Sequence, residues 1–135
     1  MTIIFNFSNQ HVQQLSQLYI QMGWGEDRSI EDTLNCLKTS RICIGILDSE
    51  PNLIGFTRIL SDFIYKAFIF DVMFSEEHCG HGLSQKLLGL VKRHEMLQKV
   101  KHFELYCLPE MEAFYSSLGF STEVGSIKLM RIVNI

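Results

Sequence analysis

The sequence predicts a mixed α+β fold built around one sheet, and three observations carry that prediction. Residues 8–40 keep helical spacing, residues 41–74 read as successive strands, and residues 75–132 alternate helix and strand. The chain has 135 residues, 47% of them apolar and 20% charged. That is long enough to bury a core and is the balance of a globular rather than a disordered chain. No repeat, low-complexity segment or linker divides it, so residues 1–135 are expected to form a single domain.

Residues 3–7 alternate apolar and polar, as a first strand does. Ser8 or Asn9 supplies a cap for the helix that carries Val12, Leu15, Leu18, Tyr19 and Met22 at helical spacing. Gly23-Trp24-Gly25 stops it. Trp24 reads either as a lid over the core or as a substrate contact, since loops carry function disproportionately. Ser29 opens a second helix over residues 30–38, with Asp32 completing an approximate capping box and Ile30, Leu34 and Leu37 on the buried side. Arg28 stands just before that cap, in the plainest reading a solvated charge.

Residues 41–47 are β-branched and continuously apolar, which suits a strand buried on both faces. Asp48-Ser49-Glu50-Pro51-Asn52 is a turn, residues 53–60 form the next strand, and Ser61-Asp62 leads into a long strand ending at Phe74. The three should make an antiparallel meander. After Phe74 comes Ser75-Glu76-Glu77-His78-Cys79-Gly80-His81-Gly82-Leu83-Ser84. A strand, a turn with two glycines and then a helix gathers backbone N–H groups that suit an anion, although an ordinary strand-to-helix turn has the same layout. The helix over residues 83–97 places Leu83, Leu87, Leu88 and Val91 on one face. A strand over 103–107 follows, then Pro109 at the start of a short helix over 110–118, Gly119 at its stop, and a final alternating strand over 126–132.

A net charge of −3 leaves no electrostatic footprint for nucleic acid or an anionic membrane surface. No apolar run approaches the ~20 residues needed to span a bilayer, and the first residues lack the basic start and long apolar core of a secretion signal. Cys36, Cys43, Cys79 and Cys107 form no C-x-x-C pair and no metal-ligand spacing. Scattered thiols of this kind suit a reducing cytoplasm, which is the expected location.

Two stretches together resemble the GNAT superfamily of acyl-CoA-dependent N-acyltransferases. The first, Glu77 to Ser84, is similar to that family's pyrophosphate loop, whose Arg or Gln, Gly, and Gly or Ala positions fall here at Cys79, Gly82 and Ser84. The second, Ala113-Phe114-Tyr115-Ser116-Ser117-Leu118-Gly119-Phe120, looks like the family's A-x-x-Y-x-x-x-G-F ending of the helix after the fifth strand. The order of elements fits along nearly the whole chain. The departures are Cys79, where a long polar side chain usually steadies the loop, Ser84, and the scarcity of loop cations, with His78 and His81 in their neighbourhood.

The resemblance implies a mostly antiparallel sheet of six to seven strands flanked by about four helices. It also implies acetyl-CoA as acyl donor, a primary amine as acceptor, and no metal. The reaction would be direct transfer, without a covalent enzyme intermediate. The strand ending Val72-Met73-Phe74 would splay from its neighbour and bind the pantetheine arm. Cys79, Gly80, His81, Gly82, Leu83 and Ser84 would hold the pyrophosphate. Tyr115 aligns with the tyrosine that protonates the departing thiolate in many relatives, its plainer reading being a half-buried aromatic. Asp71, the one charge in an apolar strand, is the leading base, with pairing to Arg58 or Lys66 as the alternative. Glu104 and Glu112 are weaker base candidates, and Cys107 reads as a small core residue. Trp24 and Arg28 would line the acceptor site. Homodimers are common on this fold, and the last strand would offer a pairing edge. The competing readings are a non-catalytic acyl-CoA-binding module and a purely structural domain.

Overall fold

The computed structural model describes residues 1–24, 27–78 and 80–134. Local signals fix the first helices. Ser8 Oγ accepts from the His11 N–H at 3.2 Å while His11 Nδ1 accepts from the Ser8 N–H at 3.1 Å, a reciprocal cap that starts α1 (Asn9–Gln21). Ser29 Oγ accepts from the Asp32 N–H at 3.0 Å and starts α2 (Ile30–Thr39). Asp32 thus serves the cap through its backbone.

The strands β1 (Thr2–Ile4), β2 (Ile42–Leu47), β3 (Leu53–Ser61), β4 (Lys66–Phe74) and β5 (His102–Leu105) form one sheet in sequence order. The first three pairings are antiparallel and β4–β5 is parallel. A parallel neighbour requires a crossover, and α3 (Leu83–Arg93) provides it across one face of the sheet. Leu83, Leu87, Leu88 and Val91 there pack in one buried cluster with Ile42, Ile44, Ile46, Ile59, Ala67 and Ile69. On the other face Leu15, Leu18 and Tyr19 of α1 pack with Cys43, Leu47, Phe56 and Met73. Every residue of β2 is buried because helices cover both faces, as its continuous apolar pattern anticipates.

Three expectations need correction. Residues 83–97 do not form one helix: α3 ends at His94, whose extended backbone (φ −63°, ψ 130°) leads into a 3-10 turn Glu95–Leu97. The helix expected over 110–118 is split into a 3-10 turn Pro109–Met111 and α4 (Glu112–Ser117). The sheet has five strands instead of six or seven, because residues 126–132 form no strand and lie exposed. Alternation makes a segment able to join a sheet, but a strand exists only beside a partner.

Burial also sets the alkaline limit of stability. It pushes the Cys43 thiol up to about 11 and, with the Asp71 charge beside it, raises the Tyr19 phenol well above its ordinary range. Both groups are held neutral in the folded state. Their contribution is therefore complete below the unfolded values, near 9 for the thiol and 10 for the phenol, and is lost as pH climbs past them. The melting temperature should fall by roughly 5 °C or more between pH 8.5 and 10.5. A flat melting profile over that range contradicts this account.

Candidate active site

The parallel pairing of β4 with β5 runs from Lys66↔His102 to Ile69↔Leu105 and stops. β4 continues through Phe70, Asp71, Val72, Met73 and Phe74, paired only with β3 on its other side. The two strands diverge there. Backbone groups of this segment that turn away from β3 have no strand partner among the described residues, leaving an open seam of donors and acceptors.

A bulge shapes the same segment. Phe56 pairs with Met73 and Arg58 with Phe70, so Thr57 faces both Asp71 and Val72, and Asp71 takes a left-handed φ of 57°. Such a conformation costs a non-glycine residue about 1–2 kcal/mol. Thr57 Oγ1 donates to the Phe70 carbonyl at 2.8 Å and stabilises the irregularity. The extra residue inverts the alternation: Ala67 and Ile69 pack on the α3 side, and beyond the bulge Val72 and Phe74 do so. Asp71 consequently sits on the α1 side.

There Asp71 Oδ2 accepts from the Tyr19 hydroxyl at 2.6 Å and from Arg58 Nε at 2.6 Å, with Arg28 Nη1 at 3.7 Å. The Arg28 guanidinium lies 4.1 Å from the centre of the Tyr19 ring. Of the two pairings weighed for Asp71, Arg58 is the one formed; Lys66 pairs with Glu104 at 3.0 Å. Asp71 Oδ1 has no partner among the described residues. A cavity of about 400 Å3 beside this cluster is lined by Arg28, Asp32, Asn35, Cys36, Thr39 and Arg58. Trp24 does not form a lid: the residue is 47% exposed, and its backbone N–H donates to the Tyr19 carbonyl at 3.1 Å. Tyr19 and Thr57 belong to this arrangement, and the sequence reading gave neither a part in the site, while Arg58 was weighed only as the partner of Asp71. Thr57, a fully buried hydroxyl in an apolar strand, was the available signal.

Downstream of the diverging segment the chain makes a 3-10 turn, Glu76–His78, and then reaches Gly80 and Gly82 with φ of 84° and 70°. Cys79, the departure in the loop motif, lies outside the described residues. Gly82 is the N-cap of α3, and no side chain caps the helix. The first N–H groups of α3, those of Leu83 and Ser84 among them, therefore have no acceptor among the described residues. The N–H of His81 donates to the His78 carbonyl at 3.2 Å, and the two imidazoles pack edge to face 5.8 Å apart. The left-handed turn, uncapped helix and dipole together suit a phosphate group.

On α4, Tyr115 is half-buried between Phe114 and Phe120, with ring centres 5.2 and 5.9 Å away. Its hydroxyl has no hydrogen-bond partner among the described residues. Burial, with a smaller contribution from Cys107, raises its pKa. Cys107 is exposed, not a core residue as expected, and lines a cavity of about 420 Å3 together with Tyr115. Among the described residues, no helix is long and apolar enough to cross a membrane. Among the described residues, no group of three or more His, Cys, Asp or Glu is placed to hold a metal ion.

The acetyltransferase (GNAT) family model matches residues 9–120. The chain belongs to this family. Among GNAT relatives, the uncharacterized N-acetyltransferase ycf52 of Porphyra purpurea is 31% identical over 133 residues, spanning 93% of this chain and 73% of that protein. Two solved structures share the fold. A Xanthomonas campestris pv. campestris protein assigned to the GNAT family superposes with a TM-score of 0.81 at 23% identity, over 99% of this chain and 94% of its own. A GNAT acetyltransferase from Streptococcus pneumoniae TIGR4 does so with a TM-score of 0.79 at 19% identity, over 98% and 97%. Within a GNAT frame, the unpaired end of β4 and the glycine turn lie in one continuous stretch of sequence, from Phe70 to Ser84.

Proposed function

We propose that this protein transfers an acetyl group from acetyl-CoA to a primary amine of a small molecule or peptide. The observation that carries the reading is the divergence of β4 from β5 immediately before an uncapped, glycine-led helix. In this reading the pantetheine arm lies along the free backbone of Val72, Met73 and Phe74. The pyrophosphate rests on the turn from Cys79 through Gly80, His81 and Gly82 to the N–H groups of Leu83 and Ser84. One N–H of the diverging segment polarises the thioester oxygen. The amine nitrogen attacks the carbonyl carbon, the new C–N bond forms, and the C–S bond breaks. Tyr115 gives a proton to the thiolate. Asp71 Oδ1 receives the acceptor's ammonium and, directly or through water, its proton. Trp24 and Arg28 flank the acceptor, and the protein acts in the cytoplasm, where acetyl-CoA and reduced thiols coexist.

The test is thiol release from acetyl-CoA with amino acids, polyamines, aminoglycosides and peptide N-termini as acceptors. Acceptor-dependent release supports the reading. Acetyl-CoA binding without release by any acceptor favours the second reading, an acyl-CoA-binding module. One observation speaks for that second reading: Asp71 Oδ2 is already occupied by Tyr19 and Arg58, which leaves only Oδ1 to meet an acceptor.

The glycine turn gives a separate prediction. A methyl group at Gly82 would meet only Gln85 Oε1, at an ordinary 3.5 Å, so Gly82→Ala acts through its φ of 70°. Strain of about 1–2 kcal/mol should reshape the turn and weaken acetyl-CoA binding by roughly ten-fold, measured by calorimetry. Unchanged affinity would remove the turn from the donor site.

A further inference from the structure

Asp71 already has a cation in close contact, and a second guanidinium stands beside it. Arg58 Nε donates to Asp71 Oδ2 at 2.6 Å and Arg58 Nη1 to Ser40 Oγ at 3.3 Å, so two of its three nitrogens are committed. Arg28 is held differently. Its Nη1 is 3.7 Å from the same Asp71 oxygen, beyond hydrogen-bond distance. Its guanidinium instead lies 4.1 Å from the centre of the Tyr19 ring, a contact that positions the group without using its N–H donors. Those donors make no hydrogen bond among the described residues, and the side chain is 29% exposed.

Both arginines line the cavity of about 400 Å3, and the rest of its lining comes from α2. Asp32, Asn35, Cys36 and Thr39 recur three and four positions apart, which puts them on one side of that helix. The cavity is therefore walled by polar and charged groups, and charge decides what fits. Two guanidiniums against the single carboxylate of Asp71 leave one positive charge over. A monoanion balances it. A doubly charged phosphate would overshoot and would also meet Asp32, which is exposed and in no ion pair among the described residues. A planar carboxylate matches the fork of a guanidinium with two parallel hydrogen bonds.

We propose that the acceptor is a free α-amino acid and that Arg28 binds its carboxylate. The ammonium meets Asp71 Oδ1, the oxygen left without a partner, while the carboxylate takes N–H groups from Arg28 beside it. An amino acid carries both its charges on a single carbon, and Arg28 and Asp71 present the two opposite charges side by side, 3.7 Å apart. Arg58 adds charge from the same wall, and the acceptor's own side chain extends toward Asn35 and Thr39. A polyamine brings no anion to Arg28, and a peptide N-terminus brings a neutral amide, so both are discriminated against. The placing of the ammonium rests on the acetyl-transfer reading; recognition of the carboxylate is measurable without turnover.

The experiment compares each standard amino acid with its own carboxamide, by thiol release from acetyl-CoA and by calorimetry on the full chain with and without CoA. At least one acid should exceed its amide by about ten-fold or more, in kcat/KM and in affinity, the range of a charge-assisted pair. The amide's amine is the less basic of the two and more often neutral, so a preference for the acid reports recognition and not nucleophile supply. Arg28→Met should bring the ratio of acid to amide close to one, and Arg28→Lys should keep part of it. Because the ratio is taken within each variant, a loss of folded protein cancels. Asp32→Asn, whose side chain caps nothing, should raise the ratio by about two-fold through removal of a like charge. Acid-selective binding without thiol release upholds the carboxylate site and refutes transfer. Four outcomes overturn the proposal: amides or polyamines handled as well as acids, phosphoethanolamine preferred over every amino acid, a ratio unmoved by Arg28→Met, or no amino acid bound at millimolar concentration.

Discussion

Tyr115→Phe lowers turnover by about ten-fold or more, the range that loss of a general acid reaches, and leaves acetyl-CoA affinity nearly unchanged. The substitution deletes one oxygen from a ring that packs against Phe114 and Phe120. The ring itself keeps its contacts, and the lost hydroxyl bonds to nothing among the described residues, so stability should hardly move. The hydroxyl is suited to donate because burial raises its pKa, keeping it protonated throughout the neutral range. Any alkaline decline in wild-type turnover from this group should accordingly fall above the ordinary tyrosine range, and a decline nearer neutrality would belong to another residue or to the acceptor. Steady-state kinetics with calorimetry separate the effects. Turnover unchanged in Tyr115→Phe removes the acid role and leaves the tyrosine as packing.

The parts of this fold that were legible in the sequence are those determined by near neighbours or by burial on two faces. Ser8 and Ser29 start helices through bonds three residues away, and β2 reads as continuously apolar because α1 and α3 cover both its sides. Gly80 and Gly82 mark a turn that needs positive φ. What stayed hidden depends on pairing across the chain. The bulge at Asp71 follows from the register of Phe56, Thr57 and Arg58 against β4, which no local pattern encodes. The hydrogen bond from Tyr19 to Asp71 joins residues 52 apart in the chain, and Tyr19 shows in sequence only as one more apolar-face residue. Residues 126–132 have a strand's alternation, but alternation specifies a face and not a partner, and here no partner strand stands beside them within the chain.

Asp71→Asn should reduce kcat/KM for the acceptor by about a hundred-fold and lower the melting temperature by roughly 10 °C. The stability loss comes first from charge. Arg58 and Asp71 are only 15% and 13% exposed, and removing one partner of such a pair leaves the other charge poorly solvated, at a cost of about 3 kcal/mol. Loss of activity in a destabilised variant is ambiguous alone, so Arg58→Met and the double substitution complete a cycle. With Asp71 and Arg58 both gone, no buried charge is stranded, and much of the stability should return. If Asp71 also receives the ammonium, the double variant regains its melting temperature but not its acceptor kcat/KM, while acetyl-CoA binding, assigned in the proposed reading to the β4 backbone and the glycine turn, persists throughout. If activity returns with stability, Asp71 only holds Tyr19, Arg28 and Arg58 in place, and the proton leaves the amine through water.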